Sequence, residues 1–214
     1  MIVDERFTTF INSLDSGNSP FLEELEREAR DSYVPVIRRE MQSFLKVFLA
    51  MKRPGRILEV GTAVGFSAIL MCENLPADSR ITTIENYEKR ISVARENFRK
   101  SGYEDRITLL FGDAAQVLGT LTAPYDFIFM DAAKGQYIRF LPEVLRLMRP
   151  GSVLISDNVL QDGEIIESRF AVERRNRTIH KRMREYLYTV KHHPRLITAV
   201  LPLGDGITVS VCRE

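Results

Sequence analysis

Two short stretches of the chain place oxygen-bearing side chains directly after apolar runs that are typical of buried strands. Asp131 follows the run 125–130, and Asp157 and Asn158 follow the run 153–155. Carboxylate and amide oxygens are hard ligands, which suit Mg²⁺ rather than zinc. Because the carboxyl ends of parallel strands meet at one edge of a sheet, we expect these three side chains to form a metal site there.

A lysine, Lys134, lies three residues beyond Asp131. Like charge from Mg²⁺ would disfavour its ammonium form, so a neutral lysine that acts as a general base is one interpretation. The metal would also acidify a hydroxyl that it binds. The ordinary alternative to a catalytic Lys134 is a solvated surface lysine. The ordinary alternative to a metal site at Asp157-Asn158 is a simple turn.

A glycine-containing loop follows the first predicted strand, with the sequence Glu59-Val-Gly61-Thr-Ala-Val-Gly65-Phe-Ser67. Glycines at a strand–helix junction let a ligand approach the backbone. Glu85 comes 20 residues after Gly65, an interval expected of an acid that binds ribose hydroxyls. Because Glu59 would repel a pyrophosphate, the loop suits the cationic cofactor S-adenosylmethionine. Turn glycines without a ligand are the alternative.

The elements that position these residues alternate between strand and helix. Residues 1–51 are predicted to form a helical cap, and residues 52–214 a Rossmann-like core, within one domain over 1–214. Strands are predicted at 56–60, 80–85, 106–111, 125–131, 152–157, 196–201 and 207–212, and helices at 36–51, 67–74, 88–101, 114–121, 138–148 and 164–191. This order predicts an α/β fold with a mainly parallel sheet. Gly204-Asp205-Gly206 predicts a C-terminal antiparallel hairpin.

The composition is that of an ordinary globular protein. The 214 residues are 44% hydrophobic and 28% charged, with a net charge of +1, so affinity for a polyanion would need a local patch. Cys72 and Cys212 belong to no metal or disulfide motif, which predicts reduced core residues and a cytoplasmic protein. No signal peptide or membrane span is predicted.

Three motifs together resemble the cation-dependent class I O-methyltransferases of the caffeoyl-CoA and catechol type. They are Glu59-x-Gly61-x-x-x-Gly65-x-Ser67, Asp131-x-x-Lys134-x-x-Tyr137 and Asp157-Asn158-x-Leu160-x-x-Gly163. The resemblance implies a seven-stranded Rossmann-like sheet, S-adenosylmethionine, Mg²⁺ and a homodimer. It implies that Asp131, Asp157 and Asn158 bind the metal, and that Lys134, as base, and Asp131 are catalytic. The cofactor positions that it implies are Met41, Glu59, Gly61, Ser67, Glu85, Asp113, Ala114 and Asp131.

Three further segments resemble one subgroup, the bacterial tRNA 5-hydroxyuridine methyltransferases: Ala132-Ala133-Lys134-Gly135-Gln136-Tyr137, Arg174-Arg175-Asn176-Arg177 and Leu201-Pro202-Leu203-Gly204-Asp205-Gly206. Gln161 stands where the plant-type enzymes carry an aromatic residue. The resemblance implies formation of 5-methoxyuridine at the wobble position, with the tRNA anticodon loop as partner. Residues 169–184 contain seven Lys or Arg and one acid, which is typical of a phosphate-binding stripe on a helix. The candidate tRNA contacts are Arg174, Arg175, Arg177, Lys181 and Arg184.

Two other functions remain open from the sequence. The chain could methylate a small catechol or hydroxycinnamate, with the basic helix serving dimerisation or solubility. It could also be a non-catalytic nucleotide-binding or RNA-binding module, although such a module would not need Asp131, Lys134, Asp157 and Asn158.

Overall fold

The computed structural model describes residues 3–213, and its seven strands form one sheet in the order β3-β2-β1-β4-β5-β7-β6. The predicted fold class, a mainly parallel Rossmann-like sheet with a C-terminal antiparallel hairpin, is confirmed. The strands are β1 Arg56–Val60, β2 Arg80–Glu85, β3 Ile107–Phe111, β4 Tyr125–Met130, β5 Met148–Ser156, β6 Leu196–Leu201 and β7 Ile207–Cys212.

Eight α-helices occur within residues 3–213, and residues 14–19 separate the first two. The hydroxyl of Ser19 caps α2 by accepting a hydrogen bond from the Leu22 amide, and Pro20 occupies the first turn, where it needs no donor. The helices are α1 Glu5–Ser13, α2 Pro20–Asp31, α3 Arg39–Lys52, α4 Phe66–Glu73, α5 Glu88–Ser101, α6 Ala114–Thr120, α7 Tyr137–Arg146 and α8 Arg177–His192. None of them is long and apolar enough to span a membrane.

The chain groups into two compact units, and the first comprises Arg6–Ala114. It contains the parallel strands β1, β2 and β3, in which Val60 pairs with Ile84 and Glu85 with Phe111. Helix α4 is buried over Phe66–Cys72. Residues 6–51 of the predicted helical cap thus lie in the same unit as β1–β3, and the prediction of a single domain remains untested.

The second unit comprises residues 115–213 with residues 3–5. Strands β4 and β5 are parallel, with Met130 paired to Ser156, and β7 runs antiparallel to both β5 and β6. As a result, Asp131 and Asp157 stand at equivalent positions, one residue beyond neighbouring strand ends. Helix α8 buries Met183, Tyr186 and Val190.

The prediction of one long helix over 164–191 is wrong. A 3₁₀ turn covers Gln161–Ile166, turns follow through residue 176, and α8 begins only at Arg177. Gln161, Asp162 and Gly163, which precede the predicted helix, have left-handed φ angles of 52°, 52° and 96°, and no regular α-helix forms between them and Arg177. Arg174 and Arg175 therefore lie in the turns before α8 rather than on its stripe.

Candidate active site

The loop after β1 needs its glycines for conformation and for space. Gly61, Ala63 and Gly65 have φ angles of 109°, 48° and 88°. A Cβ atom on Gly65 would lie 2.5 Å from the Phe98 ring, so a side chain cannot be accommodated there without movement. The loop is also tied to the next strand, because the Gly61 amide donates to the Ile84 carbonyl oxygen at 3.0 Å.

Glu59 and Ser67, two predicted cofactor residues, contact each other. Glu59 is fully buried, and its carboxylate accepts hydrogen bonds from the hydroxyls of Ser67 and Thr83, each at 2.5 Å. The Thr62 hydroxyl lies 2.6 Å from that of Thr83. Glu59 therefore fixes the loop and the start of α4 from inside the unit, a role that its position before Gly61 did not reveal.

Glu85 organises the same loop from the end of β2. One carboxylate oxygen accepts from the Ala63 amide at 2.8 Å, and the other accepts from the amides of Asn86 and Tyr87, each at 2.9 Å. A carboxylate offers about four acceptor positions, so three hydrogen bonds leave capacity for a ligand hydroxyl. Glu85 is thus held in a defined orientation at the strand end.

The remaining predicted cofactor residues of this unit occupy different environments. Asp113 is exposed directly after β3, and Ala114 begins α6. The Gly112 amide donates to the Glu85 carbonyl oxygen at 3.0 Å, which brings the ends of β2 and β3 together. Met41 is buried on α3.

In the second unit the three predicted metal ligands come together as expected. The Asn158 side-chain amide donates to an Asp131 carboxylate oxygen at 2.8 Å. The Asn158 backbone amide donates to the Asp157 carboxylate at 2.7 Å. Asn158 has a left-handed φ of 60°, which turns the chain directly after Asp157.

The electrostatics of this cluster favour a cation. Burial raises the pKa of Asp131, and burial together with the charge of Asp131 raises the pKa of Asp157 to about 7. Within residues 3–213 no three His, Cys, Asp or Glu side chains converge as a metal site, so the donor set is two carboxylates and one amide. Two close, buried carboxylates and an amide oxygen fit Mg²⁺, which keeps several positions for water or substrate.

Tyr137 links the two strand ends that carry the acids. Its hydroxyl lies 3.1 Å from the Met130 carbonyl oxygen and 3.0 Å from that of Asp157, and it accepts from the Ala132 amide at 3.2 Å. The ring is fully buried and meets Tyr186 edge-on. Both tyrosines are therefore core residues.

Lys134 forms an ion pair that the sequence did not reveal. Its Nζ lies 2.7 Å from Oδ2 of Asp205, a carboxylate that is only 3% exposed. The sequence predicts a hairpin turn at Asp205 and no contact with Lys134. No local signal connects residues 71 positions apart, so only the fold identifies this partner.

The candidate tRNA contacts divide into two groups. Arg177 donates to the carbonyl oxygens of Val172 and Phe170, and Arg184 donates to that of Ile165, so both stabilise the turns before α8. The second group consists of the exposed residues Arg174, Lys181 and Arg175, the last of which pairs with Glu173.

Comparison with known proteins identifies the family. A model of the O-methyltransferase family matches residues 12–213, so the chain belongs to that family. A catechol O-methyltransferase of Mycobacterium tuberculosis is 32% identical over 160 residues, which are 73% of each chain. A catechol O-methyltransferase of Niastella koreensis is 34% identical over 128 residues, and this match spans only 58% of each chain.

Solved structures agree with the fold. An O-methyltransferase of Bacillus cereus, solved in complex with SAH, superimposes with a TM-score of 0.84 at 26% identity and 96% coverage of both chains. The SAH-bound methyltransferase of Podospora anserina gives a TM-score of 0.88 at 26% identity, covering 98% of this chain and 95% of the other.

Proposed function

We propose that this chain is a divalent-cation-dependent, S-adenosylmethionine-dependent O-methyltransferase that converts 5-hydroxyuridine to 5-methoxyuridine at the tRNA wobble position. The observation that carries the choice of substrate is the packing of the basic helix α8 against the Lys134 turn. Arg182 donates to the Gly135 carbonyl oxygen at 3.3 Å, and Ile179 lies 3.4 Å from where a Cβ on Gly135 would stand. A cationic side chain of α8 therefore contacts the turn that carries Lys134, the predicted catalytic lysine.

The charges that remain available for phosphate define the RNA-contact surface, which consists of Arg174, Arg175 and Lys181. All three are exposed. Neither Arg174 nor Lys181 forms an ion pair within the described part of the chain, and Arg175 pairs only with an exposed glutamate. A phosphate could therefore bind to this surface without breaking a buried interaction. Arg177 and Arg184 contribute indirectly, because they hold the turn that carries Arg174.

The site residues have distinct roles in this proposal. When bound, S-adenosylmethionine supplies an electrophilic methyl group and the cation acidifies an acceptor hydroxyl. Asp131, Asp157 and Asn158 hold the cation, and Glu85 accepts hydrogen bonds from ribose hydroxyls. Lys134 takes the proton of the acceptor hydroxyl.

The proposed nucleobase suits an oxygen-ligand metal site. In 5-hydroxyuridine the 5-hydroxyl stands beside the 4-carbonyl, and this pair can chelate a cation as the two oxygens of a catechol do. An unpaired anticodon base can be splayed out to reach such a site.

A small-molecule catechol or hydroxycinnamate is the second candidate substrate. The predicted metal ligands and Lys134 are sufficient for methyl transfer to such an acceptor, which needs no basic surface. In addition, two of the relatives are catechol O-methyltransferases. The two candidates make opposite predictions for tRNA binding, which permits a direct test.

Removal of charge from the RNA-contact surface should weaken tRNA binding alone. In the double variant Arg174→Ala/Lys181→Ala, the KM for hydroxyuridine-containing tRNA should rise. The slope of log affinity against log salt should flatten by about 1.4–1.8, since each lost phosphate contact removes about 0.7–0.9. Salt titrations of tRNA binding and steady-state kinetics provide the measurement.

A matched control removes two other exposed cations from helix α5, as Lys89→Ala/Arg95→Ala. This control should leave the salt slope unchanged, and both double variants should methylate free 5-hydroxyuridine at the wild-type rate. The tRNA proposal is rejected if wild-type protein ignores hydroxyuridine-containing tRNA but methylates catechols efficiently.

The cofactor role of Glu85 has its own test. Glu85→Ala should weaken S-adenosylmethionine binding about 10- to 100-fold, because hydrogen bonds to a charged group contribute about 1.5–3 kcal/mol. The variant also frees the amides of Ala63, Asn86 and Tyr87. Calorimetry measures the affinity, and Glu88→Ala, an exposed acid three residues away, is the control. Unchanged affinity in Glu85→Ala would place the ribose contact elsewhere.

A further inference from the structure

Asp205 has both carboxylate oxygens committed, although it lies in a hairpin turn where an acid is ordinarily solvated. Oδ2 accepts from Lys134 Nζ at 2.7 Å, and Oδ1 accepts from the backbone amide of Asp162. The side chain is 3% exposed, whereas that of Lys134 is 35% exposed. A carboxylate this buried is costly unless it is paired, so its location calls for an explanation beyond the turn.

The backbone around Asp205 is fastened to the segment that follows the metal ligands. The Leu160 amide donates to the Asp205 carbonyl oxygen at 3.0 Å, and the Val159 amide donates to that of Gly206 at 2.9 Å. A Cβ on Gly206 would lie 2.2 Å from Leu160 Cγ, so the turn approaches this segment as closely as only glycine allows. The position of the Asp205 carboxylate is thereby fixed relative to Asp157 and Asn158.

We propose that Asp205 is the positioning residue of Lys134. It holds Nζ in place beside the metal ligands and stabilises the ammonium ion that forms when the lysine accepts a proton. This inference rests on the proposed function, since it assumes that Lys134 is the base. It extends to lysine the arrangement in which a third group orients a base.

The step balances in atoms and charge. The step starts from the neutral amine of Lys134, which its ammonium form yields by releasing a proton to water. The O–H bond of the acceptor hydroxyl then breaks and an N–H bond forms on this amine. The acceptor oxygen then forms an O–CH₃ bond as the S–CH₃ bond of S-adenosylmethionine breaks, which leaves S-adenosylhomocysteine. Lys134 afterwards releases its proton to water. Asp205 forms and breaks no covalent bond in this step and does not contact the substrate.

A purely structural role for Asp205 predicts a different pattern of mutant effects. If the carboxylate only closed the turn, its loss would damage folding and every activity whether or not Lys134 were present. If it acts through Lys134, its effect on turnover should disappear once the lysine is gone. A double-mutant cycle separates the two roles.

The test compares Asp205→Asn, Lys134→Ala and the double variant in the full-length protein. Asp205→Asn should lower kcat about 10- to 100-fold, the usual cost of a misplaced or unsupported active-site group. S-adenosylmethionine affinity should be unchanged. The double variant should have the kcat of Lys134→Ala alone, whereas losses that multiply would overturn the proposal. Asp126→Asn, which removes the Asp126–Arg149 ion pair at the start of β4, should keep the wild-type kcat.

A second readout does not depend on turnover. Acylation of lysine amines by an N-hydroxysuccinimide ester, quantified by mass spectrometry, should modify Lys134 severalfold faster in Asp205→Asn than in wild type. Exposed Lys181 is the internal reference, and Asp126→Asn should show no change. Unchanged reactivity in Asp205→Asn overturns the inference. If instead reactivity rises but wild-type protein methylates no acceptor, the proposed function fails while the Asp205–Lys134 contact is upheld.

Discussion

Methyl transfer should stop in excess EDTA and return when Mg²⁺ is restored, and Asp157→Ala should remain inactive even at saturating Mg²⁺. Asp131 and Asp157 are the only carboxylates among the three predicted metal ligands, so loss of one removes half of the negative charge at the site. A catalytic cation is worth several kcal/mol of transition-state stabilisation. Because 1.36 kcal/mol is a factor of ten in rate, the expected loss is about 10²-fold or more. Initial rates at a series of Mg²⁺ concentrations provide the measurement.

The structure also predicts how Asp157→Ala should behave apart from activity. Burial and the charge of Asp131 raise the pKa of Asp157 to about 7, so the ionised carboxylate destabilises the cation-free protein at neutral pH. The variant should therefore stay folded in thermal denaturation. Asp126→Ala serves as a control with the same change of side chain at the opposite end of β4. Full wild-type activity in excess EDTA would rule out the cation-dependent mechanism.

Lys134→Ala should lower kcat by about 10² to 10⁴, the usual contribution of a general base, with little change in KM. The variant also leaves the buried Asp205 carboxylate without its cationic partner, so we expect a lower melting temperature as well. Kinetics should therefore be measured well below that temperature. Lys89→Ala, which removes an exposed lysine of α5, should have neither effect. A loss smaller than tenfold would mean that Lys134 only positions the substrate.

The sequence predicted the strands of the sheet and the polar residues at their carboxyl ends well, because strand patterns and strand ends are local features. The runs before Asp131 and Asp157 each form a buried strand, and the parallel register of β4 and β5 brings the two acids together. The hairpin strands β6 and β7 were also predicted with their correct bounds. The alternation of apolar runs with helical segments is sufficient for such predictions, since it determines which residues can be buried.

The basic segment shows where local reasoning fails. Helical periodicity favoured one stripe through Arg174, Arg177, Lys181 and Arg184, but periodicity takes no account of the turns that the backbone forms before residue 177. Arg177 and Arg184 donate hydrogen bonds to carbonyl oxygens of this non-helical segment, those of Val172 and Ile165. Which cations remain available for a ligand is therefore decided by the path of the chain and not by its composition.

By itself, the sequence determined the fold class, the family and the grouping of the three predicted metal ligands at one sheet edge, because each depends on residue types at short spacing. Only the tertiary structure decided the surroundings of the reactive groups. The buried Glu59 carboxylate accepts hydrogen bonds from Ser67 and Thr83. The buried Tyr137 hydroxyl forms hydrogen bonds with carbonyl oxygens at the ends of two strands. The Lys134–Asp205 pair arises because the β6–β7 turn folds back onto the segment that follows Asn158. A contact across 71 residues depends on how the strands are ordered in the sheet, and no local pattern encodes it.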